Sequence, residues 1–536
     1  MMQRLLRDCC NFNAVLRLAL VLCICLSALG AKAKSSSSSG LVNTNVIRTV
    51  DLQGLPFARE QVGVVVQNEH SSKVYKTYTV SVPLDKALWL SQLSVHERKS
   101  GEELQVTKVP VTEGSLQQLF QVTLRSGGLQ PGEKLSLNID ALFVGGLAEP
   151  RPKAAKQYDD QVWHWEDHAL ALSVYPTRKQ KTVVKTRGDI LRFTKTAGDA
   201  TMDGRKKVVF GPYTGQEEEE GRRVEVSFRD NAEQVEAMTH RREYFVSHWA
   251  DDLNVLEHYA IRNSGPEIEG GFNKVEQMLS KHYKRRDNLV KTLLVKVPAD
   301  ARNMYFVDEI GNVSTSDVSK RRRQPSANGG DELFKVLQLQ PRYPLAGGWN
   351  YTWWHGYSVP LHRYLKVSTA TDSTQQQNRH LLRLPFIGSL AATASLENEL
   401  TLAMANAQNT AVRAYELRVT LPEGAHDIDV QLPATISGEK NLELRPTKYY
   451  FDSIGRTVVV ITHENIAPEL AARHILVSYS YAPSALWMKP LVVAGALFAL
   501  FMMASIVSRL QYGLAATPET TNKLSAAAKK QGLKKE

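Results

Sequence analysis

The sequence predicts a mainly β protein: two tandem lumenal β-sandwich-like domains followed by a single transmembrane α-helix. Three observations carry that expectation. Much of the 536-residue chain falls into short runs of alternating apolar and polar side chains bounded by Pro, Gly or Asp, the period-two signature of half-buried strands. One uncharged apolar run near the C-terminus is about as long as a bilayer is thick. All four cysteines, Cys9, Cys10, Cys23 and Cys25, precede the strand-rich part, which must therefore be held by apolar burial and not by disulfides or thiolate metal sites.

From the N-terminus, Arg4, Arg7 and Arg17 flank or interrupt an apolar stretch, Leu18 to Leu29, that ends in small residues. This is the pattern of a signal peptide, over residues 1–33. A Ser-rich linker follows over 34–45, then a first β domain over 46–235 and a second over 236–485. Three stretches show the strand architecture most clearly: YTVSVPLDKALWLSQLSV from Tyr78, TLLVKVPADARNMYFVDEIG from Thr292 and LRVTLPEGAHDIDVQL from Leu417. In each a β-rich run meets a proline, turns, and starts again. Proline lacks the amide proton a ladder needs, so each reads as two strands joined by a corner, and their recurrence points to sandwiches. The Ala-rich stretch from Leu390 to Ala407 favours a helix by propensity, and Gln375 to Gln377 reads as an inserted loop.

Leu491 to Ser508 carries no charge between Lys489 and Arg509, and is expected to form a transmembrane helix over 488–508 with Trp487 at its interface. The tail, 509–536, is rich in lysine, which places it in the cytosol and the β domains in the lumen of the secretory pathway. That address decides what the formal charge of +11 means. It argues against nucleic acid as a partner, and the basic clusters Lys284–Arg286 and Lys320–Arg323 read as solvated loops.

Few residues invite chemistry. His164 and His168 stand four apart, a metal spacing on a helix, but Trp163 and Trp165 alternate with them and argue for a strand that keeps them apart. Asp427-Ile428-Asp429 weakly matches the Asp-x-Asp of metal-dependent glycosyltransferases, yet two exposed carboxylates on one strand face, with Ile428 and Val430 facing inward, explain it without chemistry. Gly347-Gly348 before Trp349 reads as a turn. The expected sites are therefore glycosylation acceptors alone, Asn312 in Asn-Val-Ser and Asn350 in Asn-Tyr-Thr, with no catalytic, cofactor or metal residues.

Seven stretches resemble a known family: RTVDLQG from Arg48, YPTRKQKTVVK from Tyr175, FGPY from Phe210, YFVSHW from Tyr244, YFVDEIGNVSTS from Tyr305, PRYPLAGGW from Pro341 and LPEGA from Leu421. They are similar, in order, to ribophorin I, a subunit of the oligosaccharyltransferase that N-glycosylates nascent chains in the endoplasmic reticulum. The resemblance implies a non-catalytic, single-pass type I subunit that scaffolds the complex and presents acceptor. Its implied partners are the other subunits, including the polytopic catalytic one, nascent polypeptide, membrane lipid, and further out the translocon and ribosome. It also implies a glycan on Asn312. The tail is shorter than in vertebrate members, and the basic insertion at Lys320–Arg323 departs from the family. A competing reading is a type I secretory-pathway protein with β-sandwich binding domains, disfavoured by the lack of cysteine. An enzyme acting on lipid-linked sugar would lean on Asp427 and Asp429.

Overall fold

The computed structural model describes residues 40–514 apart from 112–113, 126, 196–199, 215–221, 284–287, 321, 326–330, 369–378, 394–409, 433–440, 450–451, 453, 468–469 and 471–472. The expected signal peptide, the loop at Gln375–Gln377, Lys284–Arg286 and most of the lysine-rich tail lie outside the described residues.

One plan is used twice. In the N-terminal half an eight-stranded sheet runs from Leu41–Asp51 through Phe57–Asn68 and Lys134–Val144 in one direction and Lys179–Lys185 and Lys207–Thr214 in the other. Val46 and Val50, four apart and hence on one face, pack into two adjoining cores. Val46 meets Tyr78, Val80 and Phe120 of a three-stranded sheet, and Val50 meets Trp163, Trp165 and Phe228 of a four-stranded one. The C-terminal half repeats this with a second eight-stranded sheet, in the order Gly311–Asn312, Arg302–Asp308, Asn350–Pro360, Asp252–Asn263, Val235–Ser247, Ala411–Thr420, Arg456–Ile466, Asn441–Thr447. Two smaller sheets cover it, contributing Leu293, Val295 and Leu337 from one and Leu382, Ile475 and Val477 from the other to a single core. The protein is thus mainly β and sandwich-like, but each large sheet is faced by two small ones.

The proline corners make this possible. Thr77–Pro83 and Leu90–Glu97 belong to different sheets, as do Thr292–Pro298 and Arg302–Asp308, and Ala411–Thr420 and His426–Gln431. At each corner the ladder stops and the chain crosses the sandwich, which lets both strands pack one face against a core.

Three local expectations are corrected. The first strand begins at Leu41, inside the stretch read as linker, because alternation starts there and Asn43 is buried, donating to Ser173 at 2.9 Å. Ser389–Thr393 is a strand paired with Thr292–Lys296 and not the start of a helix, the free edge of a buried strand outweighing alanine propensity. Arg322–Pro325 pairs with Asp331–Phe334 as a hairpin edge and is not a plain solvated loop. A helix over Lys274–Tyr283 had no sequence expectation; its first turn is capped by Asn273, accepting from the Val275 amide at 3.0 Å.

The halves touch at one end of the large C-terminal sheet. Arg413 pairs with Glu236 and lies 3.9 Å from the Trp89 ring centre; the Ala467 amide donates to Ser91 at 2.9 Å, and Asn465 to the Leu88 carbonyl at 2.7 Å. From the opposite end the chain leaves through a 3-10 turn, Pro483–Trp487, into a helix over Met488–Leu514. This helix is apolar on every side and stands clear of the β body, so its surface is suited to lipid or other helices.

Candidate functional site

Strand register gives the large C-terminal sheet two distinct ends. Ser247 pairs with Asp252, Asp252 with Pro360, Phe245 with Thr420 and Thr420 with Val458, so the turns after Ser247, Pro360 and Thr420 and the loop before Arg456 share one end. That end holds the helix. Asp452, its carboxylate fully buried, accepts from Lys489 at 2.8 Å and lies 3.2 Å from Arg456. Burial alone would raise the Asp452 pKa, but the hydrogen bond from Lys489 and the nearby guanidinium outweigh it and hold the pKa below the usual carboxylate range. Glu423 accepts from the Ile454 amide at 2.7 Å, tying two of these loops together. The His248 ring stacks on Tyr481 at 4.6 Å and meets the Tyr479 hydroxyl at 2.8 Å. Burial, with His380 close by, lowers the His248 pKa to about 4, which leaves the ring neutral.

The other end carries both predicted acceptor asparagines. Asn312 sits exposed on a tight hairpin whose turn is fastened by Asp308, which accepts from the Ile310 and Gly311 amides at 3.0 and 3.1 Å. Arg342 completes the fastening. It binds the Asp308 carboxylate at 2.5 Å and donates to the Gly311 and Asn312 carbonyls, each at 3.1 Å, and this hydrogen bonding lowers the Asp308 pKa. Asn350 is exposed at the first position of its strand, with its carbonyl accepting from Tyr343 at 2.9 Å. Behind it, Gly347 packs so tightly that a Cβ would lie 1.8 Å from the Pro266 carbonyl oxygen, and Gly348 has φ +78°, the turn expected there.

The candidate chemistry falls as follows. Val162–His168 is a strand, as its tryptophan alternation implied. His164 instead meets Glu166 and, from the paired strand, Glu225, with ligand-capable atoms within 4.8 Å of one another. Glu166 already accepts from Arg223 at 2.9 Å, and His164 Nδ1 lies 3.1 Å from the Ser227 hydroxyl. Asp427 and Asp429 are exposed while Ile428 and Val430 pack on the core, the arrangement the strand reading requires.

Sequence reasoning missed two buried charge groups. In the N-terminal half Arg48, 2% exposed, binds Glu60 at 2.7 Å and also Asp167, which Lys86 binds as well. Burial opposes ionisation of Asp167, yet the two cations win and depress its pKa strongly. These groups line a cavity of about 70 Å³. In the C-terminal half Glu257, 1% exposed, lies 3.5 Å from Arg242 and accepts from Tyr259 at 3.0 Å, with His240 at 3.1 Å. Arg48 opens RTVDLQG, a motif quoted without its role being legible, whereas Arg242 lies two residues before YFVSHW and drew no notice in the sequence.

A β-built body with its buried charges paired internally, standing on one helix long and apolar enough to cross a membrane, defines the class: a β-sheet protein with a single candidate membrane-spanning helix. The family model for Ribophorin I matches residues 41–508, nearly all of the described chain. The chain belongs to the ribophorin I family. Dolichyl-diphosphooligosaccharide–protein glycosyltransferase subunit 1B of Arabidopsis thaliana is 30% identical over 383 residues, covering 72% of this chain and 73% of that protein. Subunit 1 of Caenorhabditis elegans is 26% identical over 480 residues, 88% of this chain and 73% of that one. Among solved structures, native leukotriene A4 hydrolase from Saccharomyces cerevisiae overlaps 39% of this chain and 34% of its own with a TM-score of 0.26 and 8% identity, too slight a likeness to bear on fold or activity.

Proposed function

We propose that this chain is a subunit of the oligosaccharyltransferase of the endoplasmic reticulum membrane and supports transfer of lipid-linked oligosaccharide to asparagines of nascent polypeptides. The observation that carries this reading is the match to the ribophorin I family over residues 41–508, joined to relatives named as subunit 1 of that glycosyltransferase. Its role is to scaffold and to present acceptor, with the chemistry in a separate polytopic subunit. The two β halves act as lumenal domains meeting near residue 235, and the lysine-rich tail faces the cytosol. The apolar stretch supports this address: 18 residues from Leu491 to Ser508 rise about 27 Å, close to the hydrocarbon thickness of that membrane. Asn312 and Asn350 are glycan acceptors, and exposure of both side chains at the sheet end remote from the helix supports that.

Native purification through a C-terminal tag in mild detergent tests membership. Recovery together with a multi-spanning glycosyltransferase subunit is expected, and recovery of the chain alone rejects the proposal. Protease treatment of sealed microsomes tests orientation, the β body surviving and the tail being lost. The non-catalytic role is tested by the Asp427→Asn, Asp429→Asn double variant, which should assemble and keep full transferase activity.

A further inference from the structure

The helix-proximal end of the large C-terminal sheet carries side chains that water does not favour. Trp249, on the turn between Ser247 and Asp252, is 75% exposed; Ile454, in the loop before Arg456, is 75% exposed; Trp487, at the entry to the helix, is 68% exposed. Contacts fix all three near one point. His248, next to Trp249, stacks on Tyr481, two residues before the 3-10 turn that leads into the helix. Asp452, two residues before Ile454, binds Lys489, two residues before the first residue of the apolar run.

We propose that this rim docks on the membrane itself, with Trp249 and Ile454 seated beside Trp487 among the headgroups and upper acyl carbons of the leaflet on the side of the β body. The occupant is lipid because the rim is continuous with the point where the chain enters the bilayer. Tryptophan favours that depth, its ring being apolar and its N–H able to meet the headgroups. The charges around the tips limit insertion to the interface. Asp251 and His362 lie 3.7 Å apart and largely exposed, and Arg363 pairs with Asp300. Seating the rim stands the sheet upright, so that eleven residues of strand, Asn350–Pro360, carry Asn350 about 33 Å from the surface.

The proposal rests on the helix spanning a bilayer, and the experiment separates the two. The four native cysteines are replaced by serine, and single cysteines are introduced in the full chain as Trp249→Cys, Ile454→Cys, Ile310→Cys and Leu497→Cys. Each is labelled with an environment-sensitive fluorophore and reconstituted in phosphatidylcholine vesicles carrying nitroxide lipids of shallow or deep position. Ile310, 81% exposed on the Asn312 hairpin, is the remote control, and Leu497 reports the helix. The labels at 249 and 454 are expected to shift to the blue and to be quenched more by the shallow nitroxide than by the deep one. The label at 497 should show the reverse preference and that at 310 should not respond. Labels at 249 and 454 that behave like the one at 310, while 497 is quenched, overturn the proposal and leave the spanning helix intact. A silent label at 497 overturns both. Quenching at the tips in the isolated chain that is lost in the purified complex shows that another subunit covers them, and lipid is then the wrong occupant.

Discussion

Removing the Glu257 carboxylate should cost more than any surface change in this protein. Glu257 is 1% exposed in the centre of the second core, where its charge is set against Arg242 at 3.5 Å and hydrogen bonds come from Tyr259 and His240. Burial disfavours its ionised form, but Arg242 and the His240 bond reverse that and hold its pKa well below the ordinary range; His240 itself, pushed down mainly by burial, stays neutral. The group is therefore one anion and one cation. In Glu257→Ala, Arg242 keeps, among the described residues, the Tyr357 hydroxyl at 3.2 Å and the Tyr244 ring at 5.0 Å, neither of which cancels its charge. A buried ion stripped of its partner costs about 3–5 kcal/mol. For a folding unit the size of the C-terminal half that is a fall in Tm of roughly 6–20 °C. Thermal unfolding of the detergent-solubilised chain measures it. The double variant Arg242→Met, Glu257→Leu removes both charges with apolar groups of similar bulk, and should recover most of the loss. Equal losses in the single and double variants, or a single variant that melts with the wild type, would refute the view that an uncompensated charge is the cause.

Three further outcomes follow from other groups. Burial pushes the His355 pKa down to about 4, only partly offset by Glu257, and its Nδ1 accepts from the Trp353 indole at 3.2 Å, a bond that protonation breaks. The unfolded chain, with its histidine near pH 6.5, takes the proton first as pH falls. Stability is thus complete above about pH 6.5 and declines by about 3 kcal/mol towards pH 4, which denaturant titrations at a series of pH values would show, with a shallower decline in His355→Gln. Asp452→Ala leaves Arg456 and Lys489 without their shared anion, and should speed proteolysis at the 483–489 junction, whereas Lys489→Ala should do so less because Arg456 still faces Asp452 at 3.2 Å. Asn312→Gln and Asn350→Gln should each remove one glycosidase-sensitive step in gel mobility, and an unchanged mobility in either variant would remove that residue from the acceptors.

What could be read in the sequence was local. A proline after a β-rich run announced each corner because the missing amide proton is a property of one residue, and the uncharged run Leu491–Ser508 announced the helix because length and polarity suffice. Which strands pair was hidden. Val235–Ser247 lies parallel to Ala411–Thr420, with the Arg302–Asp308 and Asn350–Pro360 strands threaded between them in sequence, and no periodicity encodes such a partner. The buried ions were hidden for a related reason. Arg242 and Glu257 each sit in an alternating run where a charged residue reads as solvent-facing, and only the pairing of their strands brings the two charges together inside the core.

For the scaffold role proposed above, the two ends of that sheet divide the work. At one end Asp452, Lys489 and the His248–Tyr481 stack fix the body to the helix at several points, which resists swivelling about the connection. At the other, Arg413 on Trp89 and the bonds from Asn465 and Ala467 fix the N-terminal half to the C-terminal one. Strands in between are stiff, because the aromatic ladder His240, Tyr259, Trp353 and Tyr351 crosses three of them with ring centres 3.9, 5.0 and 5.7 Å apart. A rigid body held at a set height and orientation above its helix is what a scaffold needs, since a flexible tether would present its far end over a wide volume and position nothing. Inserting a flexible Gly-Ser segment between Tyr481 and Pro483 keeps both the helix and the β body but lengthens the connection between them. It should therefore leave the complex assembled while lowering glycosylation of acceptor peptides, and unchanged transfer in such a variant would show that the height of the body is irrelevant to the reaction.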